Sequence, residues 1–241
     1  MIPKREKGSN IRVALLLALL VAGLLFVSYT SAMAETKQEV QRLVDRARVS
    51  FNDFMRDPNY SWLHENLSHA KGVLIFPQVL KGGFIFGGSG GTGVLLIRDE
   101  STGDWSQPAF YTVGSLSFGL QIGGEAAEVI MTAMTQKAVD SLLASSVKLG
   151  GDASVALGPF GLGTKADITA DFISFAKSRG IYIGLNLEGS MVDVRESMNK
   201  AYYGRKIKPA DIIMKNEVSN PGSAELRSTL KRAARHLGSG V

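Results

Sequence analysis

The run Gly87-Gly88-Ser89-Gly90-Gly91-Thr92-Gly93 matches two catalytic spacings at once. Gly88-x-Gly90-x-x-Gly93 has the dinucleotide-binding interval, and Gly87-x-Ser89-x-Gly91 has that of a nucleophile elbow. Each motif must open a helix: one to set a pyrophosphate on the helix N-terminus, the other to present the serine from a sharp strand-to-helix turn. Val94-Leu95-Leu96-Ile97 follows instead and reads as a strand. No acidic residue stands about 20 positions on to hold a ribose, and the only histidine after Ser89 is His236. The run is therefore expected to be a glycine hairpin. His64 and His69, five apart, fall on different faces of a helix, and no third ligand accompanies them, so no metal site is expected. No pair of acids is set for acid and base work. The chain is read as a protein without enzymatic activity and without a cofactor.

What remains is the chemistry of cations, and the elements must position it. Thr36-x-x-Glu39 is a capping box that opens a helix predicted over 36–56. Val40, Leu43, Val44, Ala47, Phe51, Phe54 and Met55 form its apolar stripe, and Arg42, Arg46 and Arg48 lie outside it, free to meet lipid phosphates. A helix that merely covers one face of a sheet shows the same pattern. Asp57-Pro58 ends it, and Ser61 opens a short second helix carrying Trp62, Leu63 and Leu67. From residue 72 short β-rich runs alternate with turn residues: 73–76, 83–86, 94–98, 109–113, 115–122, 154–157, 166–176 and 181–192. Lys71 and Lys81 flank a strand-turn-strand unit, and Lys177 and Arg179 sit in a Lys-Ser-Arg-Gly turn. These four are further candidate headgroup cations. The C-terminal helix, 224–237, turns Leu226 and Leu230 inward and Arg227, Lys231, Arg232 and Arg235 outward, where the cations complement its dipole. The expected class is α+β: a single domain with a curved or partly closed, mainly antiparallel sheet flanked by N-terminal and C-terminal helices.

The 241 residues begin with a basic leader (Lys4, Arg5, Lys7, Arg12), an apolar run over 13–27 and the small-x-small site Ala32-Met33-Ala34. This reads as a signal peptide over 1–34, cleaved before Glu35. A retained anchor is the rival, but a spanning helix needs about 20 apolar residues. Export leaves residues 35–241 as one domain, with a β-rich core over about 70–192 and C-terminal helices over about 193–237. The leader carries +3 of the +5 formal charge, so basicity is mostly an export signal and no nucleic acid partner is expected. There is no cysteine, which excludes disulfides, thiolate sites and N-terminal lipidation. All but Gly8 and Gly23 of the 27 glycines lie after the leader, suggesting tight turns and close strand approaches.

Four segments, AKGVLIFPQVLKGGFIFGGSGGTGVLL, WSQPAFYTVGSLSFGLQIGGE, ADITADFISFAKSRGIYIGLNLEGS and NKAYYG, resemble in order the SYLF domain family. This lipid-binding and actin-regulator-like domain is also found in bacteria, and the resemblance runs from about His69 to about Arg235. It implies a binding protein: eukaryotic members associate with phosphoinositide membranes, partly through an amphipathic N-terminal helix, and some bind actin filaments. Export from a bacterial-type cell would remove actin as a partner and leave anionic phospholipid in its place. The expected function is non-enzymatic binding of an anionic phospholipid membrane surface in the cell envelope, with the protein periplasmic or peripheral to the envelope membranes. The alternative is a structural protein of the periplasm that holds another envelope protein.

Overall fold

The computed structural model describes residues 35–83, 86–118, 123–161, 168–178, 181–182 and 185–236. Helix α1 (Lys37–Arg56) starts where its capping box forms. The Glu39 amide donates to Thr36 Oγ1 at 3.2 Å, and the Thr36 amide donates to Glu39 Oε2 at 2.8 Å. Val40, Leu43, Val44, Ala47, Phe51 and Phe54 of its stripe are buried. Asp57 then caps a 3-10 turn at Pro58–Tyr60, and α2 (Ser61–Asn66) buries Trp62 and Leu63.

The sheet follows: β1 (Gly72–Gly83), β2 (Phe86–Ile97), β3 (Ala109–Phe118), β4 (Gly123–Ala133), β5 (Ser146–Lys148), β6 (Val155–Leu157), β7 (Phe172–Ser178), β8 (Ile181–Tyr182) and β9 (Met191–Val194). Helix α3 (Gln136–Leu143) stands between β4 and β5. After β9 come α4 (Glu196–Tyr203), α5 (Pro209–Ile213) and α6 (Ala224–His236). The spatial order is β5-β9-β3-β2-β1-β4-β7-β6, with β8 on β7, and only β6 on β7 runs parallel. The architecture is the α+β domain expected, a curled sheet with helices before and after it. Its first half is buried on both faces, so Val73 to Phe76 read as an unbroken apolar run. Val73 and Ile75 pack with Phe51, Phe54 and Leu230 on one side, while Leu74 and Phe76 pack with Ala138, Leu142 and Val192 on the other.

Four expectations change, the first being that the runs 109–113 and 115–122 are separate: β3 passes unbroken through Gly114 to Phe118. The glycine run 87–93 is the body of β2, paired with β1 on one side and β3 on the other, where a hairpin was expected. The run 73–76 is not a strand by itself: β1 continues past it to Gly83 and bulges at Pro77, so Lys71 precedes one long strand and Lys81 lies inside it, while residues 84 and 85 of the expected run 83–86 lie outside the described residues. Pro77 has no N–H for the ladder, and the bulge absorbs it. Phe76 and Pro77 together face Gly93, where a Cβ would come within 2.3 Å of the Ile75 carbonyl oxygen. Ladder pairing is thus kept because residue 93 has no side chain. Finally, the alternating stretch 181–192 is not one strand: it turns at Gly189, with φ at +82°, before β9 begins.

Candidate binding site

Beside the bulge, α1 and the sheet enclose a cleft of about 470 Å³ lined by Arg46, Asp53, Gln78, Ala126, Glu128 and Lys177, among others. Helix α1 supplies Arg46 and Asp53 from its exposed side. Strand β1 supplies Gln78 just past the bulge. Glu128 and Lys177 are directly opposite each other across β4 and β7, which puts both on the sheet face that α1 covers.

Lys177 is therefore no loop-tip cation. It lies inside β7, only 8% exposed, with its ammonium 3.3 Å from Glu128 Oε2 and 4.6 Å from the centre of the Phe54 ring. The carboxylate and the aromatic face offset the desolvation of a buried charge. The 3.3 Å contact is an ion pair without hydrogen-bond geometry, and Glu128 Oε2 is buried with no hydrogen-bond donor.

The other candidates separate into two groups. Arg42 and Arg46 are exposed on α1 and Arg48 is half-buried. Sequence reasoning passed over Arg56, which is also exposed and lies with Arg42 and Arg46 on one side of the helix. Among the described residues, none of these four arginines has a carboxylate within ion-pair distance. Lys71, by contrast, is paired with Glu100. Half-buried Lys81 stands in register between Ser89 of β2 and Glu125 of β4. Arg179 lies outside the described residues. The cleft brings Arg46 and Lys177 together and leaves the rest apart. Sequence reasoning also missed Asp53, Gln78 and Glu128. A proline inside a strand-like run was the available signal for a bulge and its opening.

Elsewhere, charge is tied into the structure. The C-terminal helix is docked by Arg227 Nε, which donates to the Trp105 carbonyl at 2.7 Å, and by the Lys231–Asp104 ion pair. A second cleft of about 510 Å³ lies between α6 and the β2–β3 connection, and it is lined by Asp104, Trp105, Arg227 and Arg98, which donates to the Ser68 carbonyl at 2.7 Å. Ser89, the one candidate nucleophile, sits mid-strand and shares a 2.7 Å hydrogen bond with Ser115 Oγ across the ladder. His64 is half-buried and contacts the Phe54 carbonyl oxygen at 3.0 Å. Tyr111 donates to the Leu142 carbonyl, and burial raises its phenol above the ordinary range. These groups hold the fold together and do not converge on a reacting centre.

A curled sheet closed over by helices and bearing a charged cleft defines a small α+β binding domain. By sequence comparison the chain belongs to the Ysc84 (SYLF) domain family, described as Las17-binding protein actin regulator, which matches residues 114–233. The human SH3 domain-containing YSC84-like protein 1 is 30% identical over 164 residues, covering 66% of this chain and 47% of that protein. An SH3 domain-containing protein of Schizosaccharomyces pombe is 32% identical over 166 residues, covering 66% and 38%. LAS seventeen-binding protein 3 of Saccharomyces cerevisiae is 31% identical over 166 residues, covering 66% and 36%. This chain thus spans less than half the length of these relatives. The name of the Saccharomyces cerevisiae protein and the description of the family are those of binding proteins.

Proposed function

We propose that this domain binds the surface of an anionic phospholipid membrane without catalysis, on the exported side of the cell envelope. One observation carries the reading: Arg42, Arg46 and Arg56 share one exposed side of α1, with no carboxylate within ion-pair distance among the described residues, whereas the apolar stripe of that helix is buried. The helix then meets a membrane through its charges and does not insert. Contact is peripheral, electrostatic and weakened by salt. Export rests on the leader, with its basic start, its apolar run and Ala32-Met33-Ala34.

Co-sedimentation with phosphatidylglycerol vesicles tests it. Arg42→Gln, Arg46→Gln and Arg56→Gln together weaken binding by about a hundredfold, since near-surface cations contribute about 1 kcal/mol each. The melting temperature changes little, because exposed charges contribute little to the fold. Undiminished binding of the triple variant rules out α1 as the contact. A second reading, capture of another protein, is favoured by the name of the baker's yeast relative, a Las17-binding protein. Indifference to every vesicle composition would select it.

A further inference from the structure

The cleft beside the bulge carries two cations, Arg46 and Lys177, and two carboxylates, Asp53 and Glu128. We propose that it binds a zwitterion bearing a phosphate and a primary ammonium, the chemistry of phosphoethanolamine.

A lone anion gains from the two cations and loses to the two carboxylates, so the cleft offers it no net field. A ligand whose opposite charges are separated gains from all four groups. The rim charges are not spent on each other, and the floor charges pair without a hydrogen bond. Arg46 and Asp53 are seven residues apart on α1, about 10 Å along the axis, and among the described residues neither has an ion-pair partner. On the floor, Lys177 and Glu128 touch at 3.3 Å without forming a hydrogen bond. The Lys177 ammonium thus keeps its three donors, and Glu128, a third exposed at its side chain, keeps acceptor capacity. The Phe54 ring, 4.6 Å from that ammonium, fixes it before any ligand arrives. A phosphate answers the donors of Arg46 and Lys177, and an ammonium answers the acceptors of Asp53 and Glu128. The N–H groups matter: a choline ammonium has the same charge but nothing to donate. At about 470 Å³ the cleft has the size of small-ligand sites, roughly 300–1,000 Å³. The site does not depend on the anionic-surface reading, because the soluble phosphoester and the headgroup of phosphatidylethanolamine present the same groups.

The test is titration of the purified chain with phosphoethanolamine by calorimetry and amide NMR, with glycerol 3-phosphate, phosphocholine and ethanolamine as comparators. The expected result is saturable binding, with amide shifts at Gln78, Ala127, Glu128 and Lys177, and affinity about tenfold above that of each comparator. Asp53→Asn removes most of the preference over glycerol 3-phosphate, and Arg46→Gln weakens both phosphates alike while leaving ethanolamine unchanged. Neither rim residue has an ion pair among the described residues, so these variants keep the parent melting temperature. Lys177→Met removes binding, and should it fail to fold, the rim variants decide. Equal affinity for phosphoethanolamine and glycerol 3-phosphate in the parent, no saturable binding, or an unchanged preference in Asp53→Asn overturns the proposal. Vesicles of phosphatidylethanolamine against phosphatidylcholine then identify the source. An Asp53-dependent preference for the former assigns the site to lipid, and soluble binding without it assigns the site to a free phosphoester.

Discussion

Before Pro77, strand β1 is buried on both faces; just after it, Val79 is still buried on one face while Leu80 lies bare on the other. Val73, Leu74, Ile75 and Phe76 have no exposed surface, whereas Leu80 is 57% exposed. Past the bulge, register aligns Ala126, Leu80, Gly90, Gly114 and Met191 in one row across five strands. The glycines of the two halves have different causes. Gly91 and Gly93 face the bulge, where a Cβ would meet backbone oxygens at 2.5 Å and 2.3 Å. Gly90 and Gly114 meet nothing nearer than 3.7 Å and 3.8 Å. One pair makes the fold possible, and the other leaves a sheet face bare. The charged cleft lies where the two regimes meet.

The strongest way to break this comparison is in the core. Phe51→Ala, in the covered half, should lose about 3–5 kcal/mol of stability in urea unfolding. Leu80→Ala should stay within about 0.5 kcal/mol, as exposed positions do. Similar losses at both sites would mean that the far half is covered in solution.

The glycines sharpen it. Gly93→Ala forces a Cβ against the Ile75 carbonyl and should lose about 1–3 kcal/mol. Gly90→Ala should be neutral or gain up to about 1 kcal/mol by restricting the unfolded chain. Equal effects in thermal melts would erase the distinction between the two pairs.

A smaller effect concerns acid stability, which the comparison assigns to the covered half. Asp171, just before β7, accepts from Thr135 Oγ1 at 2.7 Å, from the Ser154 amide and hydroxyl at 2.9 Å each, and from Lys137 Nζ at 3.2 Å. The Thr135 hydroxyl above all, then Ser154 and Lys137, outweigh desolvation and hold its carboxyl well below the usual carboxylate range. Because the folded value is depressed, the stabilisation is complete above the unfolded value of about 4 and fades as pH falls from there towards the folded value. Asp171→Asn should remove about 1–2 kcal/mol at neutral pH. Denaturant midpoints of variant and parent should converge towards low pH, and a constant gap down to pH 2 would contradict this role for the ionised carboxylate.

Local signals were legible in the sequence and long-range ones were not. The capping box, the apolar stripe and Asp57-Pro58 place α1 within a residue of its observed ends, because each acts through neighbours in the chain. Pro77 and the glycines after Lys81 read as breaks, yet the ladders on both sides of β1 override them. Lys177 looked like a turn residue since Ser178-Arg179-Gly180 follows it. Its burial comes from register with Glu128, a distant residue that no local window contains. The cleft could not be read for the same reason: its walls come from α1, β1, β4 and β7, and only the fold brings them together.

The sheet order also sets the timing of assembly. Strand β3 pairs with β9, and α1 docks against α6 and the turn before it, where Gln41 Nε2 donates to the Gly222 carbonyl at 2.9 Å. These contacts join the two ends of the domain, so most of the chain must be made before its first helix finds its last partner. High sequence separation of this kind slows folding to milliseconds or longer, in the range of about 1 ms to 1 s for all-β topologies. Through that interval the Phe51 and Phe54 stripe has no finished surface to rest on, and a chaperone or a bilayer would meet it then in a state that the folded protein conceals.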